Sequence, residues 1–184
     1  MSQLWKAEEL CKIVSGILDK SDASVILYSR DEGSNSDRNI EHLIYSGEIS
    51  FSYFNVGEDG STVDNYVFIN IDKALQSASN EDFEALCHHL VIDPTPTNRF
   101  LFVLLHQLGH WWQAELLGSN GQAKLIHQVR YALDNALPEE FIDSELGCTL
   151  DPESLFADFY AVSTIHRVLK VLESLNADYL TYLD

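Results

Sequence analysis

The stretch Asn98 to Gly118, NRFLFVLLHQLGHWWQAELLG, limits the fold more than any other part of the chain. Its approach, Phe100 to Leu105, is apolar on every side, so a helix formed here has no face to give to water and belongs at the centre of a core. Thr97 or Asn98 can cap this helix, and Gly118 to Gly121 predicts its end, with a shorter helix over about 122–135. His106 and His110 stand four residues apart on it, one turn along the same face. At that spacing both imidazoles can reach one tetrahedral zinc, with nitrogens at about 2.0–2.1 Å. Seven histidines in 184 residues also produce such a pair by chance, so a satisfied pair of core histidines is the alternative. Gly109 bears on the choice. It costs a helix about 1 kcal/mol relative to alanine, which is expected where another element must pack against the backbone.

The surrounding pattern supplies the other elements. Leu4, Leu10, Val14, Ile17 and Leu18 fall at helical spacing and predict an opening amphipathic helix over residues 3–19. The segments SVILYS (24–29), EISFSYFNV (48–56) and NYVFINI (65–71) are rich in β-branched and aromatic residues and read as strands. Polar stretches between them are loops. From Asn80, a cap for NEDFEALCHHL, the chain turns helical, and DPTPTN breaks that helix before the central one begins. An acidic loop, LPEEFIDSELGCTLDP, leads to a last helix capped by Asp151 with Pro152 in its first turn. Strands followed by helices predict an α+β fold, one domain over residues 1–184, with a small, mostly antiparallel sheet packed on the central helix and a helical C-terminal half.

Charge excludes some functions. Twenty-nine acidic against eleven basic residues give a formal net charge of -18, which repels nucleic-acid phosphates and anionic membrane surfaces. The expected partner is a protein or peptide, with no direct nucleic acid and no membrane. Cys11, Cys87 and Cys148 form no C-x-x-C pair and no disulfide scaffold. The N-terminal residues contain no uninterrupted apolar run of signal-peptide type, and the predicted location is the cytoplasm.

HQLGHWWQAELLG followed by DPESLFADFYA resembles the zincin metallopeptidases of the ImmA/IrrE type, over about residues 65–165. Their pattern is a strand, a helix with H-E-L-x-H, and a later helix reading roughly P-x-E-x-E-A-D-x-F-A. The resemblance implies a zincin-like domain, a Zn2+ cofactor held by His106 and His110, and cleavage of an intracellular protein substrate. Two positions depart from it. Gln107 stands where the family has its general-base glutamate, and its amide cannot accept a proton from a metal-bound water. The chain is then a silenced variant or a pseudoenzyme. Phe156 falls on the third-ligand glutamate, so the third ligand is sought at Asp158 or Glu153, with Asp151 a further choice. Asp158 has a second reading, as a carboxylate that orients a ligand histidine.

The alternative function is a non-catalytic zincin-fold protein that binds a partner through its acidic surface. Tyr66, Phe68, Trp111 and Tyr160 are the candidates for substrate contact, the first two because NYVFINI is taken as a sheet edge able to receive an extended peptide. Trp111, Trp112, Phe159 and Tyr160 otherwise read as core aromatics. His88 and His89 are adjacent and diverge on a helix, and His127 and His166 read as surface or packing residues.

Overall fold

The structure is a computed structural model and describes residues 3–29, 50–56, 62–76, 81–136 and 152–184. Helix α1 (Gln3–Ile17) buries Ala7, Leu10, Cys11 and Val14, of which Leu10 and Val14 belong to the stripe that the sequence predicts, while Leu4 and Ile17 are half-buried. Three strands come next: β1 (Ser24–Tyr28), β2 (Ser50–Val56) and β3 (Thr62–Asn70). β3 ends at Asn70 because that residue starts a helix. Its Oδ1 accepts from the Lys73 amide at 3.1 Å, capping the short α2 (Ile71–Gln76), which takes Ile71 out of the strand. Helix α3 (Glu81–Leu90) precedes the long α4 (Pro96–Ala136), and α5 (Pro152–Leu175) leads into a 3-10 turn at Ala177–Thr181.

The fold is α+β, and the sheet is mixed. Strand order is β1-β3-β2, with β1 parallel to β3 from Ser24↔Tyr66 to Tyr28↔Asn70, and β2 antiparallel to β3 from Ser50↔Ile69 to Val56↔Thr62. The expected mostly antiparallel sheet is therefore corrected to one pairing of each kind. β3 is the central strand and not an edge. Its near-continuous apolar run, Tyr66 to Ile69, is the mark of a strand covered on both faces, a signal that alternation in β2 does not carry. Val67 and Ile69 have no exposed surface and share one cluster with Leu10, Val14, Phe100, Leu101, Leu104, Leu105, Leu108, Ala161, Ile165 and Val168. One core thus joins α1, β3, α4 and α5.

Helix α4 differs from its prediction at both ends. It starts at Pro96 and is capped by Thr95, whose Oγ1 accepts from the Asn98 amide at 3.1 Å. Proline at the first helical position lacks only an N–H that the helix leaves unpaired, which is why Thr95-Pro96 outcompetes Thr97 and Asn98. Thr97 instead donates from its amide and hydroxyl to Asp184 Oδ1 at 3.0 and 2.8 Å and accepts from the Leu183 amide at 2.9 Å. Asn98 Nδ2 reaches the Asp93 carbonyl at 2.8 Å. At the other end the helix runs through Gly118 and Gly121 to Ala136 as one element. Each glycine costs about 1 kcal/mol, a sum that continued hydrogen bonding overrides. Asp151 and the acidic segment 137–150 lie outside the described residues. No described helix is long and apolar enough to cross a membrane.

Candidate functional site

The site is made where α4 and α5 cross, and Gly109 sets how closely they do so. A Cβ on Gly109 would lie 2.9 Å from Ala157 Cα, 3.2 Å from Ala157 O and 3.1 Å from Tyr160 Cβ. Only a residue without a side chain permits this approach. Ala157 and Ala161, both fully buried, give the opposing face of α5 the same small profile. Close packing of a second helix is thus the cause that the helix cost of Gly109 predicts.

This approach carries Asp158, the next residue on α5, against the motif helix. Its Oδ1 lies 2.7 Å from His106 Nδ1. With Nδ1–H donating to the carboxylate, the other ring nitrogen of His106 presents its lone pair, and that nitrogen faces His110 Nε2 at 3.1 Å. The rings stand nearly perpendicular, at 81°, with centroids 4.7 Å apart. Two nitrogens on one tetrahedral zinc are about 3.3 Å apart, so the Nε2 pair is close to the bite that such an ion requires. Without a cation between them, one imidazole must donate to the other.

Asp158 Oδ1 thus stands on the far nitrogen of His106, the contact expected of the second reading of this residue, a carboxylate that orients the ring. The side chain of Glu153, in the first turn of α5, lies outside the described residues, as does that of His127. Among the described residues no group of three or more His, Cys, Asp and Glu side chains is arranged to hold a metal. Phe156 is half-buried, and His88, His89 and His166 are exposed.

Gln107 is turned away from solvent, 4% exposed, and its Nε2 donates to Ser50 Oγ at 2.9 Å. Gln107 thus ties the motif helix to the first residue of β2. Nothing in the sequence marks Ser50, because the contact joins positions 57 apart that only the sheet brings together.

Of the candidates for substrate contact, Trp111 is buried, and its carbonyl accepts from Asn65 Nδ2 at 3.1 Å, so it belongs to the junction of α4 with β3. Tyr66 and Phe68 pack on each other at 6.4 Å between ring centroids, on a strand whose two sides are already paired, which removes the edge argument that selected them. Tyr160 is half-buried against Trp112, 6.2 Å between centroids, and burial raises its phenol above the ordinary range, with Arg167 opposing. Lys20 Nζ sits 2.9 Å over the Trp112 ring. Burial lowers the Lys20 ammonium, and Asp22, Asp19 and Glu115 oppose the shift. Phe159, expected in the core, is 71% exposed, one residue beyond Asp158.

Comparison of the chain with protein-family models, with curated proteins and with solved structures finds no match.

Proposed function

We propose that the chain is a zinc-binding, metallopeptidase-like protein of zincin architecture, silenced for hydrolysis at Gln107, that acts in the cytoplasm on a protein or peptide. The observation that carries the metal reading is the pair of Nε2 atoms 3.1 Å apart with the far nitrogen of His106 taken by Asp158. A carboxylate on the outer nitrogen fixes the ring and raises its basicity, the usual support for a histidine ligand. His106 and His110 would hold the ion, and Glu153, with Asp151 a further choice, is a candidate for the third ligand. A bound zinc would supply Lewis acidity and an acidified water at the open side of this pair.

Whether such a site could cleave a peptide depends on the chain's own residues. A peptidase needs a side chain beside that water to accept its proton, and the amide of Gln107 has no basic lone pair to do so. The bond from Gln107 to Ser50 favours a second reading, in which the protein binds its partner without cleaving it, because the amide serves there as a tether between helix and sheet. The experiment takes protein purified without chelator and measures its metal content, then the zinc response of its melting temperature with and without His106→Ala. Stoichiometric zinc and a response that the substitution abolishes are expected. No divalent metal and an identical response would reduce the site to a core pair. Gln107→Glu separates the two readings: recovered proteolysis identifies a silenced peptidase, and zinc binding without cleavage identifies a binding protein.

A further inference from the structure

The turn that ends α1 lays a cation on an aromatic face of α4. Asp19 takes the left-handed conformation, φ 56°, and the amides of Asp19 and Lys20 donate back to the Gly16 and Ser15 carbonyls at 3.2 and 2.7 Å. This is a common way for a helix to stop, and it fixes where Lys20 begins. Its side chain reaches α4, with Nζ 2.9 Å from the centroid of the Trp112 ring and 5.6 Å from that of Trp111. Asp22, Asp19 and Glu115 stand near enough for their charge to act on the ammonium. Glu115 is itself held, since its Oε1 accepts from Asn65 Nδ2 at 3.2 Å. Trp112 follows His110 by two residues, about 200° around the helix, so this face turns away from the histidine pair.

The bonding of this ammonium decides what the face suits. Among the described residues, Lys20 Nζ makes no hydrogen bond and no ion pair. Its charge is met by ring faces and by carboxylates that stand too far off to accept a bond from it. A primary ammonium placed here gives up hydrogen bonds that water would supply, and burial accordingly lowers its pKa. A quaternary ammonium has no N–H to satisfy, and an aromatic face is the usual way to hold one. The present occupant supplies the rest of the description. A lysine stem already lies along the approach to the ring, so the site accepts a side chain of that length. Lys20 can leave by rotating about the bonds of its own flexible stem, with the turn unchanged.

We propose that the Trp112 face of α4 is a binding site for an N-methylated lysine side chain of a partner protein, closed in the free chain by Lys20. The site does not involve the metal, so its failure leaves the zinc reading untouched. Three probes are titrated: blocked trimethyllysine, blocked lysine and tetramethylammonium. Each is added to the wild-type chain and to Lys20→Ala, and the Trp112 indole resonance is followed by NMR. In Lys20→Ala, blocked trimethyllysine is expected to give saturable shifts and to bind at least about tenfold tighter than blocked lysine. It should also bind tighter than tetramethylammonium, which has the head without the stem. The wild-type chain should keep the same order at about tenfold weaker affinity, because Lys20 competes for the ring. That comparison needs no substitution, so the test does not rest on the variant folding. Equal binding of trimethyllysine and lysine would overturn the proposal, since the ring would then hold charge of any kind. It is equally overturned if tetramethylammonium binds as well as trimethyllysine, if the two chains bind alike, or if no probe gives a saturable shift.

Discussion

Replacing Gly109 with alanine sets two known effects against each other, and the structure says which wins. Alanine is the better helix former by about 1 kcal/mol, so on propensity alone the variant is more stable. The added methyl would lie 2.9 Å from Ala157 Cα and 3.2 Å from Ala157 O, both main-chain atoms, and 3.1 Å from Tyr160 Cβ, which is fixed to its backbone. None of the three can rotate away. Carbon atoms rest at about 3.5–4.0 Å, so α5 must retreat by roughly 0.5 Å or more. Overpacking of this kind costs about 1–3 kcal/mol, which leaves a net loss near 1 kcal/mol and lowers the melting temperature by about 2–4 °C for a chain of this size. The retreat also moves Asp158, so its 2.7 Å contact with His106 lengthens past the range of a strong charged hydrogen bond. Zinc affinity should fall by about tenfold or more, the usual effect of losing such a support. Gly121→Ala is the internal control, because among the described residues its Cβ would meet only Leu117 of the same helix, at 3.1 Å, and no second helix. Thermal melts and zinc calorimetry on both variants test the reasoning. If Gly109→Ala raises the melting temperature as Gly121→Ala does, close helix approach is not what the glycine provides, and the account of the site fails with it.

Asp158→Asn keeps the shape and removes the charge beside His106, so zinc affinity measured by calorimetry should drop about tenfold while the metal-free melting temperature changes little; an unchanged affinity would mean that Asp158 does not orient the histidine. Asp184→Ala deprives the Thr97 amide and hydroxyl of their acceptor at the start of α4, and urea unfolding should show a loss of about 1–2 kcal/mol. Tyr182 donates to Glu9, and that bond, aided by burial, pushes its phenol up to about 12. A raised folded-state value means that the stability it contributes is present below the ordinary value near 10 and is lost as pH rises toward 12; circular dichroism across that window should show the loss, and Tyr182→Phe should remove it.

The sequence reaches elements that depend on local pattern and stops where a contact is long-range. α1, α3 and the centre of α4 follow from apolar spacing, and Gly109 foretells a close approach because its helix cost needs a cause. The direction of β1 against β3 is not legible, since parallel and antiparallel partners present the same β-branched residues. NYVFINI reads wrongly as an edge for a related reason: β-propensity reports a pleated, buried surface and says nothing of how many neighbours the strand has. The cap of α4 lies two residues before its expected place because Thr95 competes with Thr97 and Asn98, and only Pro96 favours it. At the site, His106 and His110 are legible from spacing and Asp158 only as a choice between two roles. Ser50 is invisible, since a hydroxyl that matters through its partner on a distant helix leaves no mark in its own neighbourhood.

On the proposed metallopeptidase-like reading, glutamine in place of glutamate at position 107 would alter more than catalysis, because the side chain is almost fully buried. A carboxylate there would lose its hydration, and burial raises the pKa of such a group and destabilises its charged form unless a cation lies close. In a peptidase that cation is the metal, so base, ion and fold support one another. An amide carries no charge and needs no such support. Its Nε2–H is satisfied by Ser50 Oγ, and the pair spans helix and sheet. The histidines are similarly provided for, since His106 is held by Asp158 and its Nε2 can share a proton with His110 when no ion is bound. A site with these partners keeps its side chains in place without metal, so zinc would add stability by binding to a formed pair and would not be needed to assemble it. That separates it from structural zinc sites, where ligands are unpaired until the ion arrives and chelation unfolds the chain.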